Sequence, residues 1–120
     1  MLPLLAIPIA CFPASEEDGR RLGAHNFVAR GDGRHVFLSN RMANTISLID
    51  QQTLEVKETF NVPGGPDCME ITKDGKQLWT TTRWIRQLTV VDLETRKVVD
   101  RIPVGKSPHG LFFLSHAPRQ

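Results

Sequence analysis

The sequence predicts an all-β protein built from a repeated four-stranded antiparallel unit, and two observations support this fold class. First, the chain repeats itself with a period of 42 residues, so that residues 24–65 align with residues 66–107 without a gap. Second, each repeat divides into four short apolar runs, which are too short for ordinary helices. A strand-rich period of this length is typical of a β-propeller blade. We therefore expect an incomplete β-propeller with two consecutive blades.

Residues 1–22 precede the repeats and are interpreted as a leader or connector. The apolar run over residues 2–12 is too short to span a bilayer as a helix. Its length suits the apolar part of a signal peptide, but no Lys or Arg precedes it. A strand remaining from a preceding blade is the alternative. Composition adds little, because a net charge of +2 is too small to indicate nucleic acid binding.

The blades are predicted over residues 23–65 and 66–107. Strands are expected at 26–30, 35–39, 45–50 and 55–62, and again at 68–72, 77–82, 87–92 and 97–104. Repeated turn residues separate them, and we expect these to be structural because Asp accepts backbone hydrogen bonds and Gly permits positive φ. They are Asp32, Gly33, Asp50 and Thr53 in the first blade, and Asp74, Gly75, Asp92 and Thr95 in the second.

Several motifs of the repeat resemble those of a known family. Asp32-Gly33-Arg34, the strand 35–40, the strand ending in Asp50 and the closing Ile102-Pro103-Val104-Gly105 are similar to YVTN-type β-propeller repeats, which belong with the quinoprotein amine dehydrogenase-like propellers. The haem-binding propellers of cytochrome-type nitrite reductases resemble the same scaffold. The resemblance covers about residues 23–115 and implies a fold rather than an activity, because many functions use this scaffold. It also implies a periplasmic or extracellular location.

Such propellers have seven or eight blades, whereas this sequence contains two and begins a third over residues 108–120, with a strand expected at 109–114. We expect a part of a larger propeller whose partners are the remaining blades or another chain. Closure of a ring by self-assembly is the alternative. Without neighbours, blades leave apolar faces and strand edges exposed. Phe37, Leu78, Trp79 and Val91 are therefore expected to find partners on one side only.

A ligand site is expected at the end of the blades that carries the longer loops, opposite the Asp-Gly turns. The second position of each repeat holds His25, Asp67 and His109, each at the start of an innermost strand. Imidazole and carboxylate groups there fit a metal, haem iron or proton transfer, and they equally fit caps of the local turns. His25 and His109 lie two repeats apart, so we do not expect them to share a ligand without further blades.

The same loops carry a basic rim. Arg41 and Arg83 are equivalent in the repeat, with Arg86 and Lys106 nearby. The rim fits an anionic small molecule or a protein partner, or alternatively solvated charge and packing between blades. Trp84 is expected to be either a contact anchor or a lid on the blade below it.

Two functions follow from these residues. The first is a non-catalytic binding or scaffold module without a cofactor, because no complete catalytic set, phosphate loop or nucleic-acid pattern occurs. The second is part of a periplasmic oxidoreductase whose propeller holds haem or a quinone. The family resemblance and the residues at the channel mouth favour the second function, whereas the mainly structural repeats favour the first.

Overall fold

The computed structural model describes residues 22–119, which form two four-stranded antiparallel sheets with their strands in sequence order. The first sheet contains β1 (Ala24–Ala29), β2 (His35–Asn40), β3 (Thr45–Asp50) and β4 (Glu55–Asn61). The second contains β5 (Pro66–Ile71), β6 (Gln77–Thr82), β7 (Gln87–Asp92) and β8 (Lys97–Pro103). A 3₁₀ turn, Arg83–Ile85, joins β6 to β7. The all-β prediction and the two-blade architecture are confirmed.

The leader or connector predicted over residues 1–22 lies outside the described residues up to position 21. Within the described part of the chain, no helix has the length and apolar character needed to cross a membrane.

Repeated aspartates hold the turns at one end of the first blade. Asp32 Oδ1 accepts hydrogen bonds from the N–H groups of Arg34 at 2.9 Å and His35 at 2.8 Å. Although burial opposes ionisation, these N–H groups and the His35 ring lower the pKa of Asp32 to about 2. Asp50 accepts from the N–H groups two and three residues on, at 2.8 and 3.2 Å. Arg34 Nη2 lies 2.7 Å from Asp50 Oδ2, and this ion pair joins the turn at Asp32 to the turn at Asp50.

The second blade repeats the arrangement. Asp74 Oδ1 accepts from the Lys76 N–H at 2.9 Å, and Asp92 Oδ2 accepts from the Thr95 N–H and hydroxyl at 3.2 and 2.8 Å. Gly33 and Gly75 both adopt a φ of +75°, which a side chain would disfavour. These contacts give each of the repeated residues a place in a turn, at the end of the blade away from the longer loops.

The two blades share one core. Phe37, Ile46 and Val62 from the first blade and Ile71, Leu78 and Val91 from the second are fully buried and belong to one cluster. Phe37, Leu78 and Val91 are thus buried within this chain, although partners on one side only were expected. The exposed apolar side chains are other ones, among them Phe27, Phe112 and Leu114.

Arg96 forms an ion pair that crosses between the blades. Arg96, in the last turn of the second blade, donates to Glu58 on β4 with Nη2–Oε1 at 2.6 Å and Nε–Oε1 at 3.1 Å. Its guanidinium also lies 5.5 Å from the ring centre of Phe37 and 5.6 Å from that of Phe60. The hydrogen bond from Arg96 lowers the pKa of Glu58. Arg96 therefore fastens the second blade to the aromatic core of the first.

The strand predicted at 109–114 does not form. A first strand needs the second strand of its own blade as a partner, and the sequence contains no such run after residue 114. The segment instead crosses β5 and β6 of the second blade, with the Phe113 N–H donating to buried Glu70 at 3.0 Å. Phe113 packs edge-on against Trp79 at 5.4 Å, and the Ala117 N–H donates to the Ile71 carbonyl at 3.0 Å. The segment thereby packs against this blade, and Ala117 joins the buried core that the two blades share.

Candidate functional site

The second positions of the three repeats meet at the loop end of the blades. His25 begins β1 and Asp67 begins β5, and these first strands are neighbours. His109 follows β8, where the chain returns toward the start of β5. The His25 and His109 rings lie 5.6 Å apart between centres, edge to face. The two histidines thus lie close together although they are two repeats apart, and both side chains face Asp67.

Asp67 is the centre of the cluster, and its side chain is fully buried. Its two carboxylate oxygens face different partners. Oδ1 pairs with His25 Nε2 and lies 3.8 Å from His109 Nε2. Oδ2 lies 3.3 Å from Arg41 Nη1 and 3.6 Å from Arg83 Nη1. One buried carboxylate thus organises two imidazoles on one side and two guanidinium groups on the other.

Cys68 is a fourth member that sequence analysis missed. Its Sγ lies 3.8 Å from Asp67 Oδ1 and 3.9 Å from His109 Nε2. Adjacent residues of a regular strand point to opposite faces. The register of β5 shifts between Pro66 and Met69, however, so Asp67 and Cys68 both oppose a single residue of β6. This bulge brings both side chains to the cluster. Burial, and then the charge of Asp67, raise the pKa of the Cys68 thiol.

A hydroxyl fills the bulge in each blade. Thr81 Oγ1 accepts from the Cys68 N–H at 3.2 Å and donates to the His109 carbonyl at 2.9 Å. In the first blade the register shifts between Ala24 and Phe27, and Ser39 Oγ bonds both the N–H and the carbonyl of Asn26 at 3.1 Å. Ser39 and Thr81 are both buried. These two residues occupy equivalent repeat positions, which is the sequence signal that could have revealed the bulges.

Arg41 and Arg83, the two arginines that pair with Asp67, remain partly accessible to solvent. The side chains of Arg41 and Arg83 are 27% and 38% exposed, and Arg83 Nε also donates to Ser107 Oγ at 2.7 Å. A guanidinium has five N–H donors, so one carboxylate oxygen satisfies only a small part of the pair's capacity. The site therefore carries more positive than negative charge and has donors left for a ligand.

The other predicted rim residues lie apart from this cluster. Arg86 and Lys106 are exposed and form no ion pair within residues 22–119. Trp84 packs over the connection between the blades, where a Cβ at Gly65 would lie 2.6 Å from its ring. Trp84 thus covers this connection and leaves about half of its surface exposed.

Comparisons with known proteins agree with the fold. A profile of the YNCE-like β-propeller family matches residues 18–119. Protein NirF from Stutzerimonas stutzeri is 33% identical over 94 residues, and Protein NirF from Pseudomonas aeruginosa is 32% identical over 92 residues. Each match covers 75% of this chain and 23% of the relative, so the chain spans about a quarter of the length of these curated relatives.

Solved structures show the same similarity. Hydrazine synthase from Kuenenia stuttgartiensis is 25% identical with a TM-score of 0.67, over 72% of this chain and 25% of that one. Dihydro-heme d1 dehydrogenase NirN in complex with DHE is also 25% identical, with a TM-score of 0.56, over 69% of this chain and 19% of that one. The family match extends over most of the sequence and over both sheets. The chain belongs to the YNCE-like β-propeller family.

Proposed function

We propose that this chain is a binding segment of a β-propeller whose loop end recognises an anionic ligand. The observation that carries the proposal is the convergence of Arg41 and Arg83 on one oxygen of the buried Asp67. Asp67 fixes the two guanidinium groups without neutralising both of them. Charge-assisted hydrogen bonds from such preorganised groups are about twice as strong as neutral ones. Further blades, or another chain, are the proposed partners that complete the site.

An anionic tetrapyrrole is the second candidate ligand, and the similarity to NirN in complex with DHE favours it. The residues fit such a group, because imidazole is a common haem ligand and the His109 side chain is 58% exposed. His25 is already oriented by the carboxylate of Asp67, as metal-binding histidines commonly are. A bound haem would supply redox chemistry, and Arg41 and Arg83 would hold its carboxylates. Location outside the cytoplasm is part of this proposal.

The proposal is tested with two porphyrins that carry the same carboxylates, iron-free protoporphyrin IX and hemin, titrated into the 120-residue chain. We expect both to bind. Arg41→Gln and Arg83→Gln should each weaken binding of the iron-free probe about tenfold, which corresponds to one charge-assisted hydrogen bond. Arg86→Gln is the matched control and should change affinity less than twofold. Equal affinities in all three variants would refute anion recognition at this rim.

Hemin separates the two candidates. If the iron is ligated, hemin binds more tightly than the iron-free probe, and His109→Ala removes both this difference and the shift of the visible absorption band. If only the carboxylates are recognised, the two probes bind equally, and His109→Ala changes neither. His116→Ala is the matched control, because His116 lies in the same segment and contacts the Ala117 carbonyl instead of the cluster.

A further inference from the structure

Four side chains with metal-binding atoms converge at the loop end of the blades. They come from β1, from the bulge of β5 and from the segment after β8, and they are His25, Asp67, Cys68 and His109. One ligand atom from each lies within 4.8 Å of all the others. We propose that these residues form a four-coordinate site for a borderline-soft divalent metal ion of the Zn²⁺ class. This inference goes beyond the anionic ligand, because it uses the Oδ1 side of Asp67 whereas both guanidinium groups lie on the Oδ2 side.

The spacing of the ligand atoms is close to that of a tetrahedral site. Bond lengths of about 2.0–2.3 Å to zinc place neighbouring ligand atoms roughly 3.3–3.8 Å apart. Asp67 Oδ1 lies 3.8 Å from both His109 Nε2 and Cys68 Sγ, and Sγ lies 3.9 Å from His109 Nε2. Three of the four donors therefore need to move only a few tenths of an ångström. His25 is in hydrogen-bond contact with Asp67, and its side chain is 29% exposed, so its ring has room to turn toward an ion.

The chemistry of the donors selects the class of metal. Two imidazoles, one carboxylate and one thiolate form an N₂OS set, which suits zinc and its neighbours in the first transition row. Calcium and magnesium prefer oxygen ligands, and this site offers only one. A divalent ion with one carboxylate, one thiolate and two neutral imidazoles carries no net charge. The four ligands therefore match the charge of the ion, and the two guanidinium groups on Oδ2 of Asp67 remain as additional positive charges.

Residues around the four donors already fix their orientation. Arg41 and Arg83 occupy Oδ2 of Asp67, which leaves Oδ1 directed at the histidines and the thiol. The Thr81 hydroxyl bonds the Cys68 N–H and the His109 carbonyl, so one buried group sets the spacing of two ligand residues. Outer contacts of this kind typically change metal affinity about 10–100-fold when removed.

The experiment is a titration of the reduced 120-residue chain with Co²⁺, followed by displacement with Zn²⁺. We expect one equivalent of Co²⁺ to produce the visible bands of tetrahedral cobalt and a thiolate-to-cobalt charge-transfer band. Cys68→Ser should abolish the charge-transfer band. Cys11→Ser, which alters the other cysteine of the chain, should leave the spectrum unchanged.

Two further pairs of variants guard against loss of folding. His109→Ala alters an exposed side chain and should weaken Co²⁺ binding at least about tenfold, whereas His116→Ala should not. Thr81→Ser keeps the hydroxyl and should retain binding, whereas Thr81→Val should weaken it about tenfold. An octahedral spectrum, or a charge-transfer band that survives in Cys68→Ser, would overturn the proposal. So would the absence of any stoichiometric spectrum in a parent chain that shows normal β circular dichroism.

Discussion

Removal of Arg96 tests how much this one side chain contributes to the contact between the two blades. Arg96→Ala deletes the two-point hydrogen bond to Glu58 and the stacking over Phe37 and Phe60. Glu58 is 38% exposed, so the ion pair is discounted for solvent screening to about 1 kcal/mol. Contacts with two rings contribute roughly another 1 kcal/mol. We expect the free energy of unfolding to fall by about 2 kcal/mol.

That loss corresponds to a decrease in melting temperature of about 8 °C for a domain of this size. The assay is thermal unfolding followed by circular dichroism, with Arg86→Ala as the exposed control. A double-mutant cycle with Glu58→Ala isolates the ion pair and should give a coupling energy of about 1 kcal/mol. Arg96→Met retains the aliphatic stem and should recover part of the loss. A melting temperature for Arg96→Ala equal to that of the control would refute this account of the blade contact.

Three further predictions concern the turns and the isolated chain. Asp32→Ala should lower stability by about 1 kcal/mol through lost hydrogen bonds to the turn, and Asp74→Ala should lower it in the same direction, with porphyrin affinity unchanged in both; unchanged melting with lost binding is the contrary result. The pKa of Asp32 is lowered to about 2, so its contribution is present above its unfolded pKa near 4 and is lost as the pH falls toward 2. Urea midpoints measured from pH 6 to pH 2 should show this decline, and Asp32→Asn should make it smaller while Asp50, Glu58, Asp74 and Asp92, whose pKa values are also lowered, still contribute. Finally, sedimentation velocity of residues 1–120 should show oligomers or aggregates, because exposed side chains such as Leu114 and open strand edges remain. A monodisperse monomer with a sharp thermal transition would contradict that expectation.

The strands could be predicted because their signals are local. Apolar runs and the Asp-Gly and Asp-x-x-Thr turns place every strand within two residues of its position in the structure. The segment after Pro108 could not be placed in this way. Its residues have strand-like composition, but a strand also requires a partner strand. The sequence of the segment does not specify which strand that would be. In the structure Phe113 and Ala117 instead contact β5 and β6 of the second blade.

The candidate site could be predicted in part. The repeat places His25, Asp67 and His109 at equivalent positions, and the structure brings all three together. The distance between the two histidines depends on how closely successive first strands approach, which the sequence does not specify. Cys68 was missed because strict alternation directs it away from Asp67. The bulge places both Asp67 and Cys68 opposite Thr81, and so turns the Cys68 side chain toward the cluster.

The bulge has a consequence for how such a protein can change its ligand. In both blades it lies at the second position of the repeat, and a buried hydroxyl from the neighbouring strand, Ser39 or Thr81, holds it. The main chain there is fixed by groups other than the two side chains that it displays. Each blade therefore carries a pair of adjacent side chains on a main chain that a buried hydroxyl holds. Substitutions at those pairs would alter the chemistry of the channel mouth blade by blade while the strand pairing stays intact.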